Sequence, residues 1–263
     1  MERPDRHKFI FLCGLHRSGT SPLFRILREH PDISGFRNTS VPEDEGQHLQ
    51  TVFSAAHVYG GPGCFGFAPD AHLTEKSELV TPENRQRLFG EWSKYWDLSK
   101  PCLLEKSPPN LIRTRFLQAL FPSSYYLVIL RHPIAVSLAT WKWARTGLDS
   151  LMEHWLYCHR LFELDRPHLR RVLVIKYEDV IGATQATLRQ IYAFLDLPPH
   201  ASDPLNPAGN ERYFTAWRKL LDGKAKGHCV FHSIVAKYER RIRPYGYSLI
   251  DLEAAPLDIL PAQ

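Results

Sequence analysis

Short apolar runs alternate with stretches of helical periodicity along the first two thirds of the chain. The apolar runs are Phe9–Cys13, Cys102–Glu105, Tyr125–Leu130 and Val172–Ile175. They are too short for helices and lack the regular polar alternation of a half-exposed strand, which is typical of strands buried in a parallel sheet. The pattern predicts an α/β fold of three layers, with a central parallel sheet flanked by helices.

Helical patterns lie between and after these strands. They are predicted to begin at Ser21, at Thr81-Pro82-Glu83 and at Ile134, and to cover Leu111–Phe121, Leu151–Leu164 and Leu188–Leu195. In the helix that begins near Thr81, the residues Leu88, Trp92, Tyr95 and Trp96 have the spacing of one helical face, which indicates core packing.

Two segments interrupt the alternation. Residues 38–80 are irregular and contain the stretch YGGPGCFGF, and a loop of this length often carries function. Residues 196–210 are rich in proline, and residues 211–243 after them are helical and basic. We interpret residues 1–263 as one domain, with the helical segment 211–243 folded back onto it.

Composition narrows the classes of ligand. The chain has 263 residues, of which 44% are hydrophobic, and its formal charge of +5 comes from 33 basic and 28 acidic side chains. This mild excess suits a small acidic ligand, and no basic run with interleaved aromatic residues points to nucleic acid as a partner. Five widely spaced cysteines without a CxxC pair indicate free thiols, and thirteen histidines without a ligand spacing predict no metal site.

The chain carries no obvious targeting or membrane segment. Its cleanest apolar run, YYLVIL at 125–130, is far shorter than the roughly 20 residues that a membrane span requires. The first strand begins by Phe9, which leaves no room for a signal peptide. We therefore expect a cytoplasmic protein without a membrane span, provided that the chain is complete.

The first strand leads into a glycine loop, GLHRSGTS, at residues 14–21. The loop fits G-x-x-x-x-G, with Gly14 and Gly19 as its turns, and amides at the start of the following helix suit an anion. Thr20 stands where an ATP-hydrolysing loop has lysine, whereas Arg17 brings a permanent charge into the loop. Together with the hydroxyl groups of Ser18, Thr20 and Ser21, this composition predicts a phosphate-binding loop that is ill suited to ATP hydrolysis.

Two further cations follow predicted strands. Lys106 comes directly after a strand in CLLEKSPPN, and Arg131 does so in YYLVILRHPIAVS. Ligands of open α/β sheets bind at the carboxyl ends of the strands. We therefore expect Arg17, Lys106 and Arg131 to converge on one crevice.

The motifs LHRSGTS, EKSPPN, LRHP and IKYED resemble, in this order, those of the sulfotransferases that use 3′-phosphoadenosine 5′-phosphosulfate (PAPS). The resemblance is closest to the branch with Arg-Ser-Gly-Thr in the first loop, which includes the tyrosylprotein sulfotransferases and many bacterial enzymes. It covers residues 9 to about 180 and implies a P-loop-like fold and transfer of a sulfuryl group from PAPS to a hydroxyl acceptor without a metal.

The resemblance also implies roles for individual residues. The loop Arg17, Ser18, Gly19, Thr20 and Ser21 would hold the 5′-phosphosulfate, Lys106 would contact the bridging and sulfuryl oxygens, Arg131 would bind the 3′-phosphate, and Tyr177 would lie beside the adenosine.

One position departs from the family pattern. The family usually has a serine eight residues after the arginine that binds the 3′-phosphate, and here that residue is Ala139. Ser137 is included among the predicted donor-binding residues for this reason, although it and Thr140 would lie on other helix faces. The basic residues Arg218, Lys219, Lys224 and Lys226 are further candidates for the 3′-phosphate.

The general base is sought in the stretch VPEDEGQHLQ, which follows the first helix. Glu43, Asp44, Glu45 and His48 are the candidates, and we favour Glu45 as the group that takes the proton of the acceptor. Glu105, next to Lys106, is expected to support the site from its strand.

The acceptor is left open between a carbohydrate, a lipid and a phenol. The acceptor-side loop 38–80 contributes Phe53, Tyr59, Phe65 and Phe67 as a possible pocket floor, although such residues are more often core. Two other functions stay open at this point: a P-loop-like kinase that has lost its lysine, and a non-catalytic nucleotide-binding protein, which the substitution at Ala139 would favour.

Overall fold

The computed structural model describes residues 4–144, 146–205, 209–222 and 228–253. Its five strands are β1 (Lys8–Cys13), β2 (Ile33–Gly35), β3 (Cys102–Lys106), β4 (Ser124–Leu130) and β5 (Val172–Lys176). All neighbouring strands pair in parallel, in the order β2-β3-β1-β4-β5. The predicted α/β fold with a central parallel sheet and flanking helices is therefore confirmed.

The helices follow the strands in sequence. They are α1 (Thr20–Leu27), α2 (Pro82–Trp92), α3 (Thr114–Leu120), α4 (Pro133–Trp141), α5 (Leu148–Asp165), α6 (Tyr177–Gly182), α7 (Thr184–Phe194), α8 (Glu211–Leu221) and α9 (His228–Ile242). The long loop 38–80, all of which is described, contains only short 3-10 turns as regular structure, as its composition predicts.

Strand β2 was not predicted from the sequence. It lies within the stretch HPDISG, which we interpreted only as the end of the first helix. The strand has three residues and pairs with β3 alone, from Ile33 opposite Cys102 to Gly35 opposite Leu104. A run this short carries no periodicity, so tertiary pairing rather than local pattern determines it.

Several predicted helices have different bounds in the structure. Helix α5 begins at Leu148 and α7 at Thr184, before the predicted Leu151 and Leu188. Helix α2 ends at Trp92, so Tyr95 and Trp96 do not share its face as predicted. The Trp96 ring still packs in the core, where its Nε1 donates to the Leu104 carbonyl at 3.0 Å, but Tyr95 is exposed, so the predicted core packing is wrong for that residue. Helix α3 begins at Thr114, because the two prolines of the Pro108–Ile112 segment favour a 3-10 turn there.

An aromatic cluster between the sheet and α2 forms part of the core. The Phe9 ring lies 4.4 Å from that of Phe121, and the Phe11 ring lies 5.7 Å from that of Tyr126 and 6.1 Å from that of Trp92, measured between centroids. All five side chains are buried, and each aromatic ring buries roughly 150–250 Å² of surface. This packing anchors β1, from which the glycine loop emerges.

The sheet order sets the positions of the functional loops. Strand β1 lies between β3 and β4, with Leu12 opposite Lys106 and Cys13 opposite Val128. On the far side of β4, Leu130 pairs with Lys176. Because parallel strands end at the same edge, the segments after β1, β3, β4 and β5 emerge side by side.

The helices of the basic segment 211–243 pack against the rest of the chain. Trp217 in α8 donates from Nε1 to the Leu249 carbonyl at 2.8 Å, and Tyr238 in α9 donates to the Asp149 carbonyl in α5 at 3.0 Å. Both rings are buried. Among the described helices, none has the length and apolar character needed to cross a membrane.

Candidate active site

The loop between β1 and α1 is shaped for close approach by other groups. Gly19 caps α1 at φ +99°, and a Cβ atom there would lie 2.3 Å from Cδ2 of Tyr177, so only glycine fits. Ser18 is buried and donates to the Leu15 carbonyl at 2.6 Å, which fixes the turn. No described side chain caps the N-terminus of α1, and uncapped first amides of a helix suit an anion.

Arg17 lies within this loop in the left-handed backbone region, with φ 69°. Its guanidinium Cζ lies 3.2 Å from the centroid of the Trp143 ring, which is 63% exposed and belongs to the segment after α4. A guanidinium on an aromatic face is held in orientation while its edge N–H groups remain open to a ligand.

Lys106 lies beneath the loop and joins it to a carboxylate. Its Nζ is fully buried and donates to Ser21 Oγ at 3.3 Å and to Glu45 Oε1 at 3.1 Å. Glu45 is also buried, and Gln47 Nε2 donates to its other oxygen at 2.6 Å. One cation therefore bridges the anion loop and a carboxylate that two donors hold in a fixed orientation.

Glu105 supports this arrangement from within strand β3. Ser107 Oγ donates to it at 2.5 Å, Asn110 Nδ2 donates to its other oxygen, and Ser107 Oγ also accepts from the Gln47 amide at 2.8 Å. Burial raises the pKa of Glu105 to about 7 although these hydrogen bonds oppose the shift. The side chain thus connects the strand to the segment that carries Glu45.

This raised pKa predicts a pH-dependent stability. The carboxyl is protonated in both folded and unfolded states below pH 4.5, but between 4.5 and about 7 only the unfolded state ionises, so Glu105 destabilises the fold increasingly as the pH rises. The effect of Glu105→Gln on the free energy of unfolding should therefore differ between the two pH values. We expect it to be about 3 kcal/mol more stabilising at pH 8 than at pH 4.5. Urea unfolding at both pH values measures this gain, and the exposed Glu78→Gln is the control. An equal effect of Glu105→Gln at both pH values would contradict it.

Arg131 occupies the third predicted position, at the end of β4. Its Nε donates to Asn210 Oδ1 at 2.8 Å, and its two terminal nitrogens donate to the carbonyls of Arg17 and Gly209, each at 2.7 Å. The guanidinium also lies 4.0 Å from the centroid of the Tyr177 ring. Three of its five N–H groups are therefore bonded to described residues.

Most of the chain matches a known protein family. The sulfotransferase family model matches residues 10–202 of the chain, which include the anion loop, Lys106, Arg131 and Tyr177. The chain belongs to the sulfotransferase family. The predicted family resemblance is confirmed, whereas its assignment to the Arg-Ser-Gly-Thr branch stays a prediction.

Solved sulfotransferases share the fold at low sequence identity. Sulfotransferase STF1 from Mycobacterium tuberculosis H37Rv is 16% identical with a TM-score of 0.52, covering 80% of this chain and 71% of its own. STF9 from Mycobacterium avium is 13% identical with a TM-score of 0.52, covering 89% of this chain and 76% of its own. A comparison with curated proteins gave no significant match.

The sulfotransferase fold brings together Arg17, Lys106 and Arg131, the cations that the sequence predicted to converge. Lys106 contacts Ser21 of the loop, and Arg131 contacts the backbone of Arg17. Tyr177 packs against Gly19 and beneath Arg131. Their contacts with a ligand remain a prediction.

The four candidates for the base are separated in space. Asp44 accepts from Thr39 and, at 3.1 Å, from Nη1 of Arg28, and Glu43 is exposed. Of the four, only Glu45 contacts Lys106. His48 Nε2 lies 3.9 Å from Oε2 of Glu45. Burial lowers the pKa of His48, against the opposing effect of Glu45, so the ring is neutral near pH 7. Glu45 thus stays the favoured base, with His48 beside it.

The candidates for completing the 3′-phosphate site have different environments where they are described. Arg218 is exposed and pairs with Glu211 and Glu253, Lys219 is exposed, and the predicted candidates Lys224 and Lys226 lie outside the described residues. Ala139 is buried, and Ser137 lines a pocket with residues of the long loop and α5. Among the described residues, no cluster of three or more histidine, cysteine or carboxylate side chains has the geometry of a metal site.

Sequence reasoning missed the residues that hold Arg131. Asn210, besides accepting from Arg131, donates to Glu178 Oε1 at 2.6 Å, and Tyr247 donates to Glu178 Oε2 at 2.8 Å. Glu178 lies in the motif IKYED and was a usable signal there. Asn210 and Tyr247 carry no local signal, because neither follows a strand nor belongs to a recognisable motif.

Proposed function

We propose that this protein transfers a sulfuryl group from PAPS to a hydroxyl acceptor. The observation that carries the proposal is the double contact of Lys106, which donates both to Ser21 of the anion loop and to Glu45. A buried cation that joins an anion loop to a carboxylate places charge stabilisation and a proton acceptor at one point, as in-line group transfer requires.

The chain has residues that fit both ends of the donor. Gly19 lets the Tyr177 ring pack directly against the loop, and the α1 amides, Arg17 and Ser21 would hold the 5′-phosphosulfate. Arg131 has two N–H groups beyond the three that described residues use, and these would hold the 3′-phosphate. Tyr177, packed beneath that guanidinium, would border the adenosine.

PAPS, when bound, supplies an activated sulfuryl group that leaves from a phosphate. Lys106 stabilises the negative charge that develops between the phosphate and the transferred group, and Arg17 holds the outer oxygens in line with the acceptor. Glu45 accepts the proton of the attacking hydroxyl, while Gln47 keeps the carboxylate in place. Glu105 keeps Ser107 and Asn110 in position behind these groups.

Turnover of labelled PAPS in excess EDTA tests the proposal. We expect transfer to persist, because Arg17 and Lys106 provide the positive charge that magnesium supplies to phosphoryl transfer. We also expect 3′-phosphoadenosine 5′-phosphate (PAP), the product, to raise the melting temperature more than ATP or ADP does.

Three results would overturn this function. A strict requirement for a divalent ion, or preferential stabilisation by ATP, would indicate a kinase. Binding of PAP without transfer to any alcohol, carbohydrate or phenol would indicate a non-catalytic nucleotide-binding protein. The PAP measurement needs no acceptor, so it separates donor binding from a wrong choice of acceptor.

A further inference from the structure

The three cations of the crevice are held in different ways. Lys106 donates to two side chains, and Arg131 donates to three acceptors. The Arg17 guanidinium, by contrast, has no hydrogen bond or ion pair with any residue that the structure describes. Its described contact is the ring of Trp143, whose centroid lies 3.2 Å from Cζ. The orientation of Arg17 therefore depends on an aromatic face rather than on polar partners.

A guanidinium without such support would be poorly suited to group transfer. An arginine side chain has many rotamers, and fixing it costs conformational entropy when the ligand binds. In-line transfer also tolerates little displacement, because the reacting atoms must be aligned as well as close. Stacking on a ring restricts the plane of the Arg17 guanidinium and leaves its edge N–H groups free to point at an anion. The contact thus supplies order without using a donor that the ligand needs.

Helix α4 connects both contacts that fix Arg17. Arg131, which comes just before the helix, donates to the Arg17 carbonyl at 2.7 Å. Trp143, which comes just after the helix, stacks on the guanidinium of the same residue. The helix has nine residues and therefore a length of about 13 Å. One end of α4 thus holds the backbone of Arg17, and the other end holds its side chain.

The turn that carries Trp143 is itself supported. The backbone N–H groups of Trp143 and Ala144 both donate to the Thr140 carbonyl, each at 2.9 Å. The long loop packs against this turn, since a Cβ atom at Gly63 would lie 3.5 Å from Cγ2 of Thr140 and 3.8 Å from Cβ of Ala144. The Trp143 ring is therefore held on a fixed backbone between the anion loop and the acceptor-side loop, although it is 63% exposed.

We propose that Trp143 is a positioning residue for sulfuryl transfer, which acts by holding the Arg17 guanidinium in the plane from which its fork reaches the outer oxygens of the donor. The inference rests on the proposed function and adds to it a residue outside the four sequence motifs. Binding of the product tolerates several orientations of the guanidinium, whereas alignment of the transferred group tolerates few. Loss of the ring should therefore reduce kcat more than it weakens PAP binding.

The first test compares kcat with PAP affinity in Trp143→Ala. Labelled PAPS with phenol, cyclohexanol and methyl β-glucoside as probe acceptors gives kcat, and calorimetry gives the affinity for PAP. We expect kcat with the fastest of these acceptors to fall about tenfold or more, because a small displacement of an aligning group has a large effect. PAP affinity should weaken by no more than about fivefold, the contribution of an exposed cation–π contact.

Three variants separate positioning from a structural role. Trp143→Phe keeps an aromatic face and should retain more than about a third of kcat. Trp141→Ala is the matched control and should leave kcat unchanged, since it removes an exposed ring that is not stacked on any cation the structure describes. In the Arg17→Lys background, Trp143→Ala should lower kcat by less than about threefold, because the planar group that the ring orients is already absent.

The second test observes the stacking directly, with and without PAP. In protein labelled with nitrogen-15 arginine, the Nε–H signal of Arg17 is identified by its loss in Arg17→Lys. The ring current of Trp143 should shift this NMR signal upfield in the wild type and not in Trp143→Ala. We expect the shift to persist when PAP is bound, since the proposal requires the stacked orientation in the working site.

Several results would overturn this assignment while leaving the proposed function standing. They are a smaller fall in kcat for Trp143→Ala, an equal fall in the Arg17→Lys background, and loss of the upfield shift on PAP binding, which would identify the stack as a contact of the empty site only. If PAP binds but no probe acceptor is turned over, the NMR comparison decides. Failure of the wild-type protein to bind PAP would overturn the proposed function and this assignment with it.

Discussion

Glu45→Gln is expected to lower turnover at saturating PAPS by about 100- to 10,000-fold, the contribution that a positioned base typically makes. Glutamine keeps an oxygen that can accept from Lys106, but it cannot take the proton of the acceptor. An alanine at this position would be harder to interpret, because it would leave Lys106 buried without its partner, at a cost of about 3–5 kcal/mol. PAP affinity, measured by calorimetry, should change little, since the donor is assigned to Arg17, Lys106 and Arg131.

Glu43→Gln provides the control for this experiment. Glu43 lies two residues away and is exposed, so its neutralisation should reduce turnover far less. Retention of more than about a third of the activity in Glu45→Gln would show that Glu45 is not the base. His48, whose Nε2 lies 3.9 Å from Glu45, would then be the next candidate.

Arg17→Ala is expected to abolish turnover and to weaken PAP binding by about 30- to 1,000-fold, which corresponds to about 2–4 kcal/mol. The guanidinium is the permanent charge of the anion loop and presents two N–H groups to oxygen at once. Arg17→Lys should recover only part of the affinity, because an ammonium group keeps the charge but neither the planar fork nor the same stacking on Trp143.

The control for Arg17→Ala is Arg25→Ala, which removes the same charge from an exposed position of α1. Calorimetry with PAP and turnover with PAPS should leave Arg25→Ala close to the wild type. If Arg17→Ala binds PAP within twofold of the wild type, the loop does not hold the donor as proposed.

Four of the five strands and the convergence of the cations were predictable because their signals are local. Tyr125–Leu130 is an uninterrupted apolar run, and Arg131 follows it directly, so strand and charge are found together in one short stretch. The same holds for Lys106. Since parallel strands end at a common edge, finding the strands is sufficient to place the two side chains near each other.

The environment of these cations was not predictable from such signals. Arg131 bonds to Gly209 and Asn210, which lie 78 and 79 residues further along the chain, next to a proline-rich segment without periodicity. Trp143, which follows the end of α4, stacks on Arg17. The two residues are 126 positions apart, and no local pattern in the sequence connects them. The hydroxyl of Ser18 looked available for a ligand, but the tight turn directs it to the Leu15 carbonyl.

The position of the general base was only partly predictable. The sequence placed three carboxylates and a histidine within six residues, so the region was correct but the side chains were equivalent in pattern. Backbone conformation separates them: Glu43 and Asp44 have positive φ angles of 55° and 52°, and the turn they form sends Asp44 to Arg28 and Glu45 to Lys106. Propensity does not encode a turn of this kind.

The bonds that join the anion loop to its surroundings have a consequence for biosynthesis and folding. Lys106 and Glu45 are 61 residues apart in the sequence, and Arg131 and the Arg17 carbonyl are 114 apart. The Gly209 carbonyl, which also accepts from Arg131, is synthesised 78 residues after Arg131. Contacts of such long sequence separation form slowly, because the intervening chain must be closed first. A nascent chain therefore exposes the anion loop early but lacks the site until Asn210 has emerged, so truncated products carry the motif without its chemistry.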